Sequence, residues 1–142
     1  MKRTAIVLAA ASLLLSACGW FEDPAPNEAR LVVQGEAGKT VRLIVSSKFV
    51  AAVNEQGQTR VVIFEADTLV TTLPYDMVYT IEEDQRFFAE AARLDDDLQT
   101  VRMQVFLDQR KQFDEGGALL LGAPYRFVYT FNQAITRDIV VI

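Results

Sequence analysis

The chain alternates apolar and polar residues with a period of two through most of its length, the spacing of β-strands with one face buried. Val41, Leu43 and Val45 alternate with Arg42 and Ser46. Tyr75, Met77, Tyr79 and Ile81 alternate with Asp76, Val78 and Thr80. Val101, Met103, Val105 and Leu107 alternate with Arg102, Gln104 and Phe106. Tyr125, Phe127, Tyr129 and Phe131 alternate with Arg126, Val128 and Thr130. Leu31-Val32-Val33 reads as a short strand, and Val61-Val62-Ile63-Phe64 as a strand buried on both faces. Thr68 to Leu73 is β-branched and stops at Pro74. Phe87 to Leu94 is ambiguous, because its alanines also suit a helical turn. Turn residues separate the runs at Gly35–Gly38, Asn54–Gly57, Pro74, Asp95–Asp97, Gly116-Gly117 and Gly122–Pro124. Seven to eight short strands and no long helix predict an all-β fold, an antiparallel β-sandwich that is immunoglobulin-like in the broad sense. A small β-barrel is the alternative.

The N-terminus follows a different rule. Lys2 and Arg3 precede an uncharged run, Thr4 to Ala17, rich in alanine and leucine. A charged start and a short apolar stretch form a secretory signal. The run has about 14 residues, short of the ~20 that a membrane-spanning helix needs. It ends in Leu15-Ser16-Ala17-Cys18, which resembles the lipobox of bacterial lipoproteins at every position. The resemblance implies diacylglycerol transfer to the Cys18 sulfur and cleavage between Ala17 and Cys18, with Cys18 becoming the first mature residue. It also implies membrane attachment through fatty acyl chains, which hold durably when two or three are present. Gly19 stands where an aspartate tends to retain such lipoproteins at the inner membrane. The expected location is therefore the periplasmic face of the outer membrane, with the inner membrane as the alternative. Residues 1–17 are then signal, 18–29 a lipidated cysteine and tether, and 30–142 the β-sandwich domain. Pro24, Pro26 and the acidic pair Glu22-Asp23 mark the tether, and Trp20 and Phe21 suit either the bilayer interface or the underside of the domain.

A second resemblance covers residues 30–131. The order strand, turn, strand, followed by Leu73-Pro74 opening a strand and Val105-Phe106-Leu107-Asp108 near a hairpin, is similar to the extracytoplasmic β-sandwich of small mycobacterial membrane proteins that accompany lipid exporters. This chain departs from them in having a lipobox in place of a transmembrane helix, and no functional residue carries over.

Composition narrows the chemistry. The net charge is −5, and removing Lys2 and Arg3 with the signal takes it to −7. That balance disfavours nucleic acid and an electrostatic membrane-binding face. The single cysteine leaves no disulfide to form within the chain. Histidine is absent, which removes the commonest general base and metal ligand together. No cofactor or metal site is expected.

The remaining candidates are few. Asp95-Asp96-Asp97, with Glu82-Glu83-Asp84, offers oxygen atoms to calcium but without the spacing of an EF-hand loop. Paired carboxylates for glycoside hydrolysis have no fixed separation here. Ser46-Ser47-Lys48 suggests a Ser–Lys dyad or, more simply, a polar strand end. Gly116-Gly117 and Gly122 fit no phosphate-binding fingerprint. Tyr125 and Tyr129, in the aromatic stripe, are candidate ligand or partner contacts, although core packing explains such a stripe as well. Ile139 and Val141, in the apolar terminus Ile139–Ile142, are candidate partner contacts if that strand does not complete the sheet. The expected function is a non-catalytic accessory or assembly module for an envelope protein complex; the alternative is a small-ligand carrier for a lipid or sugar.

Overall fold

The computed structural model describes residues 25–82, 85–96 and 99–142. The expected signal, Ala17, Cys18 and most of the expected tether lie outside them. Ten strands lie among the described residues: β1 (Glu28–Gly35), β2 (Thr40–Val53), β3 (Thr59–Thr72), β4 (Tyr75–Thr80), β5 (Phe87–Ala92), β6 (Gln99–Leu107), β7 (Arg110–Leu119), β8 (Tyr125–Thr130), β9 (Gln133–Ile135) and β10 (Ile139–Val141). They form a four-stranded sheet, β4-β1-β6-β7, and a six-stranded sheet, β10-β3-β2-β5-β8-β9. The architecture is a β-sandwich in which the larger sheet curls into a half-barrel. Ten strands exceed the expected seven to eight because β7 and β9 show no clean alternation. In the other direction, the runs Val61–Phe64 and Thr68–Leu73 fuse into the single strand β3.

The main core lies between the sheets. Leu31, Val33, Met103, Val105 and Phe113 meet Val41, Leu43, Ala89 and Phe127 there, all buried. Phe113 and Phe127 approach to 5.9 Å between ring centroids, and Tyr79 and Phe87 to 5.7 Å. Each fully buried side chain of this size contributes roughly 1.5–3 kcal/mol of burial free energy. Gly35 ends β1 where no side chain fits: a Cβ there would stand 2.6 Å from Leu73 Cδ1 and 3.0 Å from the Thr100 carbonyl oxygen.

A second core fills the curl of the larger sheet. Phe49, Val61, Phe88, Val128 and Ile139 form it, and Phe49 and Phe88 meet edge to face at 6.2 Å. The β2–β3 hairpin reaches it by changing direction. Val41, Leu43 and Val45 face the main core, but Phe49 faces the second. The register with β3 shifts between Val45 and Lys48, as a β-bulge does. Ser46 satisfies that bulge, donating its hydroxyl to the Glu65 carbonyl and accepting from the Lys48 backbone N–H at 3.0 Å.

Strand β5 sits between both cores, and all six of its residues are buried. This resolves the ambiguous stretch: a strand covered on both faces has no polar alternation to show. Val61–Phe64 departs from its expected double burial. Val61 is buried and Ile63 half-buried, while Val62 and Phe64 are exposed.

At one end of the sandwich, Asp108 and Gln109 form a two-residue hairpin turn with φ of 43° and 69°. Positive φ at both positions is the twist that such turns need. The Asp108 carboxylate accepts from the backbone N–H groups of Asn27 and Glu28, both at 3.0 Å, fixing the chain as it enters β1.

Replacing Gly35 with alanine should cost about 1–3 kcal/mol, the usual price of overpacking, because a backbone carbonyl blocks relaxation. A chemical-denaturation midpoint equal to that of the unaltered protein would show that this close approach is not maintained.

Candidate interaction surface

The outward face of β2, β3 and β10 carries a continuous apolar patch. Antiparallel pairing sets Val50 opposite Val62, and parallel pairing sets Val61 opposite Val141, so Ile142 follows beside Val62. Val50, Val62 and Ile142 thus form one row across three strands. Val140 lies two residues back along β10 on the same face, and Phe64 sits at the next register shift of β3, between Ile63 opposite Phe49 and Glu65 opposite Lys48. All five are exposed, Phe64 to 69% and Ile142 to 60%. Side chains in neighbouring rows of one sheet face lie close enough to touch, so Val50, Val62, Val140 and Ile142 are one surface and not scattered residues. The turn Asn54–Gln58 sets this register: the Asn54 side-chain oxygen accepts from the N–H groups of Gln56 and Gln58, and Gly57 adopts φ +79°.

The candidates named from sequence fall elsewhere. Tyr129 is buried in the main core, with its hydroxyl donating to Asn132 Oδ1 at 3.2 Å. Tyr125 is half-buried against the same core. Phe131 leaves the stripe altogether: it occupies a hairpin turn at φ 49°, 72% exposed, with the Arg86 guanidinium 5.6 Å from its ring centre. Ile139 and Val141 point into the second core, and β10 adds a strand to the sheet beside Thr59–Val61. The residues that face outward are their neighbours, Val140 and Ile142. No alternation within so short a segment distinguishes the two faces; the hairpin register does.

The polar clusters bind the fold to itself. Glu90 is buried on the second-core side of β5 and accepts from Arg42 Nη2 at 3.2 Å and Arg126 Nε at 2.7 Å. Arg126 also donates to the Ile139 carbonyl at 3.0 Å, joining β8 to β10. On the outer face of the smaller sheet, Arg102 pairs with Asp114 through two hydrogen bonds of 2.6 and 2.8 Å, and Lys111 and Gln104 add to it. Above all Arg102, and then Lys111 and Gln104, hold the Asp114 carboxyl well below the usual carboxylate range. The Arg30 hydrogen bond also lowers the Asp76 carboxyl. Tyr75 and Tyr79 share a 2.6 Å hydrogen bond, and burial first, then that bond, pushes the Tyr79 hydroxyl above the usual tyrosine range. A shallow groove of about 660 Å³ runs over Gln34, Thr100, Arg102 and Gly116.

The Ser–Lys pairing does not form, since Ser46 serves the bulge and Lys48 Nζ meets Glu82 Oε2 at 2.7 Å. Of the acidic residues considered for calcium, Glu83, Asp84 and Asp97 lie outside the described residues. Among those described, no three carboxylate or thiol groups stand close enough to share a metal. Ala17 and Cys18, the expected cleavage and lipidation positions, also lie outside them.

Comparison with protein-family models, with curated proteins and with solved structures finds no match to this chain.

The two faces of β10 should respond oppositely to substitution. Ile139→Ala should cost about 2 kcal/mol or more, as a buried truncation does. Val140→Asp should change stability by no more than about 0.5 kcal/mol. Equal losses in thermal melts would contradict this assignment of faces. Asp114→Asn should lower the melting temperature at neutral pH. The depressed carboxyl stabilises the fold above its unfolded value and loses that contribution as pH falls towards the folded one, so the deficit should shrink below about pH 4. A deficit that persists undiminished at pH 2 would exclude the ion pair as its source.

Proposed function

We propose that the protein is a lipid-anchored, non-catalytic accessory or assembly module that engages another cell-envelope protein from the periplasmic side of the outer membrane. The observation that carries this reading is the exposed apolar row Val50–Val62–Ile142, extended by Val140. Exposed apolar surface of this continuity marks contact sites for proteins or membranes. The domain's net negative charge favours a protein partner over an anionic lipid surface. The lipobox at Leu15–Cys18 supports the anchor, and the Asp108 clasp at Asn27 and Glu28 supports a short path from anchor to domain. The filled main core gives no particular support to a carrier of lipid or sugar between the sheets.

Two measurements on the full-length protein in its native membrane test this reading. Cys18→Ser should move the protein from the membrane to the soluble fraction. A photoreactive residue in place of Ile142 should give one discrete adduct with a membrane-associated protein, and the same residue in place of Glu36, at the opposite end of the sandwich, should give none. Retention of Cys18→Ser at the membrane defeats the anchor. Absence of an adduct from position 142 defeats the contact surface.

A further inference from the structure

The outward face of the smaller sheet holds a groove that opens where the chain enters the domain. Glu28, Arg30, Val78, Phe106, Asp108 and Gln109 line it around a volume of about 430 Å³. Strand pairing sets Arg30 opposite Val78 on one side and opposite Phe106 on the other. The flanking residues Ala29 and Leu31 fill the main core, so these three side chains stand in one row facing outward. Val78 is 52% exposed and Phe106 half-buried, so the apolar part of the row is open among the described residues.

Arg30 is held in place at the centre of the row. Its guanidinium donates from Nε to Asp76 Oδ1 at 2.7 Å and from Nη2 to Asp76 Oδ2, and it lies 5.9 Å from the centre of the Phe106 ring. A planar guanidinium stacks on aromatic rings. The Arg30 side chain stays half exposed, which leaves it open to a second ring. Because Asp76 already fixes its geometry, such a ring meets it at little further cost in side-chain ordering. The groove therefore suits an aromatic residue seated on Arg30 and against Val78.

The chain supplies such residues close by. Trp20 and Phe21 precede Asn27 by seven and six residues, and the Asp108 carboxylate clasps Asn27 and Glu28 at the rim of the groove. Seven residues span at most about 25 Å. Glu28 to Phe106 is two residues along β1 and one strand across, roughly 8 Å. The segment therefore reaches the groove with slack to turn back over it. Ala25 and Pro26 are already half-buried, so the chain follows the domain surface ahead of β1. We infer that Trp20, with Phe21 beside it, docks in this groove, its indole stacked on Arg30 and packed against Val78. A short linker holds a tethered group at about millimolar effective concentration, so a contact too weak to hold a free ligand is populated here. Only Gly19 then separates the docked residue from Cys18. In the anchor reading, the outer face of the smaller sheet is thereby held beside the bilayer; the docking itself does not depend on acylation.

Trp20 is the only tryptophan, so its fluorescence reports on this contact alone. The full-length protein is placed in phosphatidylcholine vesicles, with ordinary or with brominated acyl chains, and quenching is measured with the bromines and with aqueous acrylamide. A docked Trp20 should be protected from both quenchers. Val78→Lys and Arg30→Lys, both at exposed positions, should each raise quenching by one or the other at least about threefold, the usual worth of one stacking contact. Strong quenching by brominated chains in the unaltered protein would place Trp20 in the bilayer and overturn the inference. Strong quenching by acrylamide would leave it in water and do the same. So would unchanged quenching in both variants, or loss of protection when the protein is diluted tenfold in lipid, which would make the groove of a second copy the site. Failure of the anchor reading shows separately, as release of the protein from the vesicles, and acrylamide then still reads the docking in the soluble protein.

Discussion

Three residues, Thr136 to Asp138, join β9 to β10, and those two strands are the opposite edges of one six-stranded sheet. The four Cα steps from Ile135 to Ile139 span at most about 15 Å. A flat sheet of six strands, each ~4.8 Å from the next, would hold its edges about 24 Å apart. The sheet must therefore curl until its edges approach. The second core follows from that curl: Phe49, Phe88, Val128 and Ile139 fill the concave side because the strands carrying them are bent towards one another. Full burial of β5 follows as well, since it lies beneath both cores. So does the position of Glu90, a carboxylate enclosed on β5 whose two arginine partners offset the cost of leaving water. Arg126 completes the arrangement by bonding across the curl to the Ile139 carbonyl.

The same geometry explains why the apolar patch faces outward. A curled sheet has a concave face that its own strands can fill and a convex face that they cannot. The β2–β3 hairpin enters the second core with Phe49, Val61 and Ile63, and its other face is left without an opposing layer. Val50 and Val62 on that face gain nothing from the domain's own packing. Their presence is therefore a property of the surface and not of the fold. The edge beyond Val61 is uncovered for a related reason: β10 follows β3 in parallel but reaches only as far as Val61.

The alternating runs 41–45, 101–107 and 125–129 were legible in the sequence because each has one buried face, so period and fate coincide. Strand β5 was not, because double burial erases alternation and alanine suits helix and strand alike. β7 was not, because Arg110 to Gly117 places only Phe113 in the core. The interaction surface was half legible. Val61–Phe64 and Ile139–Ile142 stood out as unusually apolar, but which face each would show depends on the hairpin register and on the curl, and both are long-range properties. Ile139 and Val141 were thus the wrong parity for an outward contact, whereas counting outward from the Asn54–Gln58 turn pairs Val50 with Val62.

The clasp at the start of β1 has a mechanical consequence. Asp108 holds the backbone of Asn27 and Glu28, and β1 runs inward from there between β4 and β6, bonded on both sides. Tension applied to the chain ahead of Ala25 would act along the axis of an interior strand. It would load two ladders of hydrogen bonds in shear, all at once, instead of peeling them open one after another. A domain built this way resists being dragged apart by its leading end far better than one whose first strand lies at a sheet margin.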